Sequence, residues 1–220
     1  MAPTTDEVPD PRVRRSRDAL MQAAVALVGE RGTAAVPVSD IAEAAGVSRP
    51  VLYQHFGDRD RLLLESALDL ATRELLPRMA AASNDPTRRS GALALARHFA
   101  GHSAFYRAVL TSSCAFELNK ALTSLLIPVN RKLVHDIFGG ALDPQGELDF
   151  ATFLTGGGAA VVNTWVVDGT EPLDPEQFTD RLMRLSGAAG ALLRPATTTP
   201  QAKTQHATTQ HAATRQEPGR

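Results

Sequence analysis

One nine-residue stretch carries side chains whose types and spacing suit recognition of a polyanion. From Ser48 to Phe56 the order Arg49-Pro50-Val51-Leu52-Tyr53-Gln54-His55 sets Leu52 and Phe56 at i, i+4. On a helix those two turn inward and leave Arg49, Pro50, Val51, Tyr53, Gln54 and His55 outside. Such a surface of donors and flat rings fits a DNA major groove. Arg49, at the N-terminal end, matches guanine O6 and N7 bidentately, and Pro50 and Val51 offer apolar contact to a thymine methyl.

The residues from which an active site would be built do not converge in the sequence. His98 and His102 stand at i, i+4, the spacing for two metal ligands on one helical face, but there is no His-Glu-x-x-His arrangement and no evident third ligand. Cys114 and His135 could pair as nucleophile and base, yet nothing in the sequence brings them together. Gly156-Gly157-Gly158 is not the Gly-x-Gly-x-x-Gly turn of a dinucleotide site. His206 and His211 fall in a Thr/Gln/Ala tract without apolar periodicity. No catalytic residue, metal or cofactor is therefore expected.

The elements that must position these residues read as helices throughout. Leu20, Ala23, Ala24, Leu27 and Val28 mark a first amphipathic helix over about Ser16–Arg31, stopped by Gly32. Ile41, Ala42 and Ala45 mark a short one ended by Gly46. Ser48 is a suitable N-cap for the next, and Asp58 for a long helix running toward Pro77. Further helices are expected at about Thr87–Phe99, Ser103–Leu110, Phe116–Phe138, Leu148–Val167 and Pro175–Leu193. No period-2 run is long enough for a sheet, so the fold class is all-α with about nine helices. Two short helices joined at Gly46 and flanked by longer ones form a helix-turn-helix unit.

The register Ile41-Ala42, Ala45-Gly46-Val47-Ser48, Tyr53-Gln54-His55-Phe56 and a basic Arg59 three residues on resembles the N-terminal domain of the TetR family of transcriptional regulators over about residues 14–74. Composition marks a disordered basic-ended arm at 1–13, and the resemblance implies a DNA-binding, helix-turn-helix domain at 14–74 (motif 37–56). A ligand-binding and dimerisation domain at 75–194 and a disordered tail at 195–220 would follow. It implies DNA contacts from Ser39, Ser48, Arg49, Pro50, Val51, Tyr53, Gln54, His55 and Arg59. Tyr53, His55 and Arg59 would hold phosphates, with Arg12, Arg14 and Arg15 as a flexible arm. Pro37 stands where the family commonly has a capping Thr, which puts the phosphate contact of that hydroxyl in question.

By the same resemblance the middle helices enclose a small-molecule pocket, with His98, His102, Phe105, Tyr106, Cys114, Phe116, Asn130 and Trp165 as candidate lining. The last two helices pair with those of a second copy through Gly156, Gly157, Ala160, Trp165, Leu182, Leu185 and Ala189. Ligand binding would shift the fourth helix and weaken operator binding, and repression is the family's usual mode. The function expected is thus a ligand-responsive repressor, bound to a palindromic operator as a homodimer. The alternatives are a helical adaptor without DNA binding or, least favoured, a small enzyme.

Composition agrees with that reading. The 220 residues carry a formal net charge of −1, which excludes a highly basic coat protein. Residues 1–11 carry −3, residues 12–61 carry eight Arg against six acids, and the remainder balances. The only basic excess thus lies near the N-terminus and is sharpest in the run Arg12 to Arg17. Cys114 is the single cysteine, so no intramolecular disulfide forms, and the opening MAPTTDEVPD lacks a secretory apolar core. A cytoplasmic address is expected. Phe150–Val167 runs 18 residues without a charge, but three glycines, Asn163 and the lack of flanking Lys or Arg make it poor for lipid. A helix buried in a protein interface fits it better.

Overall fold

The computed structural model describes residues 10–82, 85, 87–139 and 141–193, with side-chain surroundings as far as Ala188. The tail expected at 195–220, with His206 and His211, and residues 1–9 of the expected arm lie outside the described residues. Within them there are nine helices and no strand. The first four are α1 Pro11–Arg31, α2 Val38–Ala44, α3 Arg49–Phe56 and α4 Arg59–Leu70, the last continuing through a π-helical turn, Ala71–Leu75, into Leu76–Ala81. Then come α5 Arg89–Gly101, α6 Ser103–Leu110, α7 Ala115–Phe138, α8 Pro144–Asp168 and α9 Pro175–Leu193.

Two ends depart from the sequence reading. Helix α1 starts at Pro11, because the Asp10 carboxylate accepts from the Arg12 amide at 2.8 Å and a proline is tolerated where the amide has no helical acceptor. Arg12, Arg14 and Arg15 are therefore carried on a helix and do not form a flexible arm; Arg15 Nε donates to the Pro11 carbonyl at 3.1 Å. Helix α4 does not stop at Pro77. Proline has no amide to donate and its ring crowds the preceding turn. The π turn just before it, where Leu76 N–H reaches back to the Ala71 carbonyl, lets the helix pass.

The DNA-side core is built from Leu20, Ala24 and Val28 of α1, Ile41 of α2, Leu52 and Phe56 of α3, and Leu62, Leu63 and Ala67 of α4, all buried. A second set, Phe99, Phe105, Tyr106, Val109, Leu118, Leu122, Val162 and Val166, fills the space between α5, α6, α7 and α8. The two sets are continuous, since α1 packs on both α4 and α6. Helices α7 and α8, joined by a short Gly139-to-Asp143 connection, lie against each other along their length, and α9 returns onto α5. Arg107 of α6 locks the end of α8: its guanidinium donates to the Val166 and Gly169 carbonyls at 2.8 and 3.3 Å and pairs with Glu171 at 2.9 Å. A cation there also complements the negative end of the helix.

Candidate nucleic-acid interface

Helix α3 is two turns long and cannot persist alone; its neighbours hold it. Gly46 at φ +66° makes the turn from α2, and Gly57 at φ +79° ends α3 with its amide bonded to the Tyr53 carbonyl at 2.8 Å. Both lie in the left-handed region that a Cβ disfavours. Leu52 and Phe56 are buried beneath α3, whereas Arg49, Pro50, Tyr53 and Gln54 are exposed, with Val51 and His55 half-buried at its edges. Tyr53 keeps half its surface, 51%, in solvent, and Arg49 makes no ion pair among the described residues. Ser48 is exposed at the N-cap position and makes no capping bond. Ser39, one residue inside α2, donates its hydroxyl to Asp40 at 3.0 Å.

The charged residues that orient this helix were not singled out in the sequence. Arg17 of α1 lies 4.7 Å from the centre of the Phe56 ring, pairs with Glu65 of α4, and reaches the His55 carbonyl at 3.5 Å. Arg61 holds the same Glu65 at 2.5 Å. Arg17 thus belongs to a clamp that ties α1, α3 and α4. Arg31 pairs with Asp40 at 2.6 Å and fastens α1 to α2; that hydrogen bond, with the one from Ser39, holds the Asp40 carboxyl below the usual carboxylate range. At the start of α4, Asp58 accepts from the Arg61 amide at 2.7 Å. Arg59 beside it is half-buried, with its Nε left without a hydrogen-bond partner among the described residues. The α6–α7 turn docks here too, as Ser113 Oγ donates to Asp60 Oδ2 at 2.7 Å.

Of the residues expected to line a ligand pocket, His102 and Phe105 border a surface groove with Gly101 and Ser103, and the others are placed differently among the described residues. Phe116 is 75% exposed on the outside of α7. Trp165 stacks on Phe178 of α9 with ring centres 3.9 Å apart, and Asn130 Nδ2 donates to Thr155 Oγ1 across the α7–α8 seam at 2.8 Å. His98, Phe99, Phe105 and Tyr106 form one packed aromatic cluster. Apart from Phe116, these rings are taken up by packing, because each finds an aromatic neighbour within the chain. Cys114 is buried against the start of α4, where burial pushes its thiol up. It is separated from His135, which pairs with Glu147 at 2.7 Å, by 21 residues of α7, about 30 Å at helical rise. No nucleophile–base pair forms.

His98 carries a measurable consequence. It is 1% exposed, bonded through Nε2 to the Tyr106 hydroxyl at 2.8 Å. Burial, with His102 and Arg78 adding to it and Glu74 opposing, pulls its pKa down from 6.5 to about 4. An unfolded chain takes up that proton near pH 6.5, and the folded one does so only near 4. Stability is therefore full above about pH 6.5 and falls as pH drops toward 4, by on the order of 3 kcal/mol. Urea midpoints measured across that window should decline for the wild type and decline less for His98→Asn.

On the opposite flank, Gly156, Gly157 and Ala160 are exposed, Leu185 is 47% exposed, and Leu182 packs half-buried on the core; the side chain of Ala189 lies outside the described residues. Among the described residues, a Cβ added at Gly156, Gly157 or Gly158 would meet nothing within 4 Å. By length and composition α8 is apolar enough to cross a membrane, and only 22% of its apolar window is buried within the chain.

A helical chain in which a glycine-turned helix pair displays an arginine-headed helix, braced by α1 and α4, has the architecture of a helix-turn-helix DNA-binding regulator. Residues 20–66 match the family described as bacterial regulatory proteins, tetR family. The HTH-type transcriptional regulator BetI of Rhizobium meliloti (strain 1021) is 29% identical over 153 residues, covering 67% of this chain and 74% of that one. The HTH-type transcriptional repressor KstR2 of Mycolicibacterium smegmatis is 38% identical over 69 residues, 31% of this chain and 32% of that protein. Among solved structures, RolR in complex with resorcinol superposes with a TM-score of 0.57 at 22% identity, covering 84% of this chain and 96% of that one. Residues 20–66 thus carry a DNA-binding domain of the TetR type, and the chain is a DNA-binding transcriptional regulator and not an enzyme.

Proposed function

We propose that the chain is a ligand-responsive repressor that binds a palindromic operator as a homodimer in the cytoplasm. The observation that carries the DNA half is the split of α3, with Leu52 and Phe56 inside and Arg49, Pro50, Tyr53 and Gln54 outside. Arg49 reads a guanine, Pro50 and Val51 meet a thymine methyl, and Tyr53, Gln54, His55 and Arg59 contact the backbone with Ser39 and Ser48. An adaptor without DNA binding would leave that outward surface without a use. Selection of bound fragments from genomic DNA by the purified protein tests it. A twofold-symmetric site is the expected result, and no sequence preference at physiological salt would sink the proposal.

Dimerisation supplies the second half-site, and the uncovered face of α8 and α9 is its natural seat. Glycines that nothing among the described residues approaches, set beside the 65% exposed Phe153 and Leu185, suit close contact with a second copy's helices. Gly157→Leu should overpack that seam by about 1–3 kcal/mol per protomer. Sedimentation should then show weaker self-association with an unchanged helical spectrum; an unaltered dimer would exclude this face.

The effector would act within residues 75–194. Helices α7 and α8 meet through polar pairs, Asn119 with Asn163 and Asn130 with Thr155, and α7 carries Pro128 in its interior. That seam is held by replaceable hydrogen bonds and a weakened helix ladder, so a small molecule opens it at lower cost than the aromatic cluster. RolR, of similar fold, was solved with resorcinol bound. Displacement of α7 would pull on the Ser113–Asp60 contact at the start of α4, biasing the spacing of the recognition helices.

A further inference from the structure

We propose that Glu74, His98 and His102 bind one divalent transition-metal ion of the zinc, cobalt or nickel class. Glu74 lies in the π turn of α4, His98 in the last turn of α5, and His102 one helical turn further on, at the junction of α5 with α6. Glu74 Oε2 is 3.0 Å from His102 Nε2 and 4.0 Å from His98 Nδ1, and one ligand atom from each residue lies within 4.8 Å of the other two. Ligand atoms bonded at about 2.0–2.1 Å around a tetrahedral ion stand roughly 3.4 Å apart. The three are thus already near bonding positions, and small side-chain rotations close the set.

A second observation points to the same place. His98 is 1% exposed, and its Nδ1 has no hydrogen-bond partner among the described residues although the Glu74 carboxylate faces it. A buried ring nitrogen without a partner is rare in native structures; a bound ion would satisfy it. Its other nitrogen meets the Tyr106 hydroxyl at 2.8 Å, the outer-shell bond that fixes the tautomer of a metal-ligating histidine.

Two imidazoles and one carboxylate select borderline ions over magnesium or calcium, which require oxygen. The fourth position falls to water, since Glu74 and His102 are partly exposed at 32% and 27%. His102 also lines a surface groove with Gly101, Ser103 and Phe105. Arg78, 3.9 Å from Glu74 and 56% exposed, supplies the counter-charge and is free to swing into solvent when an ion enters. The ion would pin the π turn of α4 to α5, and so join the helix that begins beneath the recognition helix to the C-terminal helices.

The test is titration of the full chain, stripped with a chelator, with Co²⁺ followed by visible absorption and with Zn²⁺ by competition against a chromophoric chelator. One equivalent per chain with a tetrahedral cobalt spectrum is expected. His102→Ala and Glu74→Gln, both at partly exposed positions, should each weaken binding by more than about 100-fold, and Tyr106→Phe by about 10–100-fold. His206→Ala with His211→Ala should leave it unchanged. The proposal is overturned by absence of saturable binding, by binding undiminished in His102→Ala and Glu74→Gln, or by binding lost with the two tail histidines. None of these readouts involves DNA, so their failure would leave the repressor reading standing.

Discussion

Arg49→Ala is expected to abolish operator binding at concentrations where the wild type is saturated, while thermal unfolding stays unchanged. Arg49 is exposed at the head of α3 and holds no ion pair among the described residues, so its removal takes nothing from the fold. A bidentate guanine contact is worth about 1–3 kcal/mol of discrimination. A dimer loses two, about 2–6 kcal/mol, or roughly thirtyfold to 10⁴-fold in affinity. Electrophoretic mobility shifts on the selected operator and on a scrambled fragment measure it. Specific binding should collapse toward the scrambled level, and an affinity within twofold of wild type would exclude Arg49 as a base reader.

The second large effect is on stability. Phe56 is 5% exposed beneath α3, and the Arg17 guanidinium rests 4.7 Å above its ring. Phe56→Ala deletes a buried ring at about 3–5 kcal/mol and strips Arg17 of its aromatic contact. Calorimetry should show a transition lowered by roughly 10 °C or more, since about 1 kcal/mol shifts a domain of 150–250 residues by 2–4 °C. Phe56→Leu, which keeps most of the volume, should recover much of the loss. If Phe56→Ala melted like the wild type, the miniature core would not be what holds α3.

How much of this was readable in advance varies with the range of the interaction. The two short helices, their Gly46 turn and the inward Leu52 and Phe56 follow from local spacing, and the bounds expected for α6 and α9 coincide with those observed. The helix start at Pro11 escaped because Asp10-Pro11 reads equally well as a leader and as a cap until the amide of Arg12 is seen on the carboxylate. Pro77 misled because a proline rule takes an α-helical ladder for granted, and a π turn relaxes it. The expected pocket lining is only partly placed together, for a different reason. His98, Phe105, Tyr106 and Trp165 are the residue types of a cavity wall and equally those of a packed interior, and only their neighbours tell the two apart.

The helical class, the helix-turn-helix register and the outward Arg49 and Tyr53 follow from local sequence, because each is set by residues within one or two turns of one another. Tertiary structure alone decided that Arg17 clamps three helices through Phe56 and Glu65, that Ser113 ties the α6–α7 turn to Asp60, and that Glu74 completes a triad with His98 and His102. The partners in those contacts stand 24 to 53 residues apart. No periodicity encodes such pairings, since they exist only once the long helices have chosen their faces and packed.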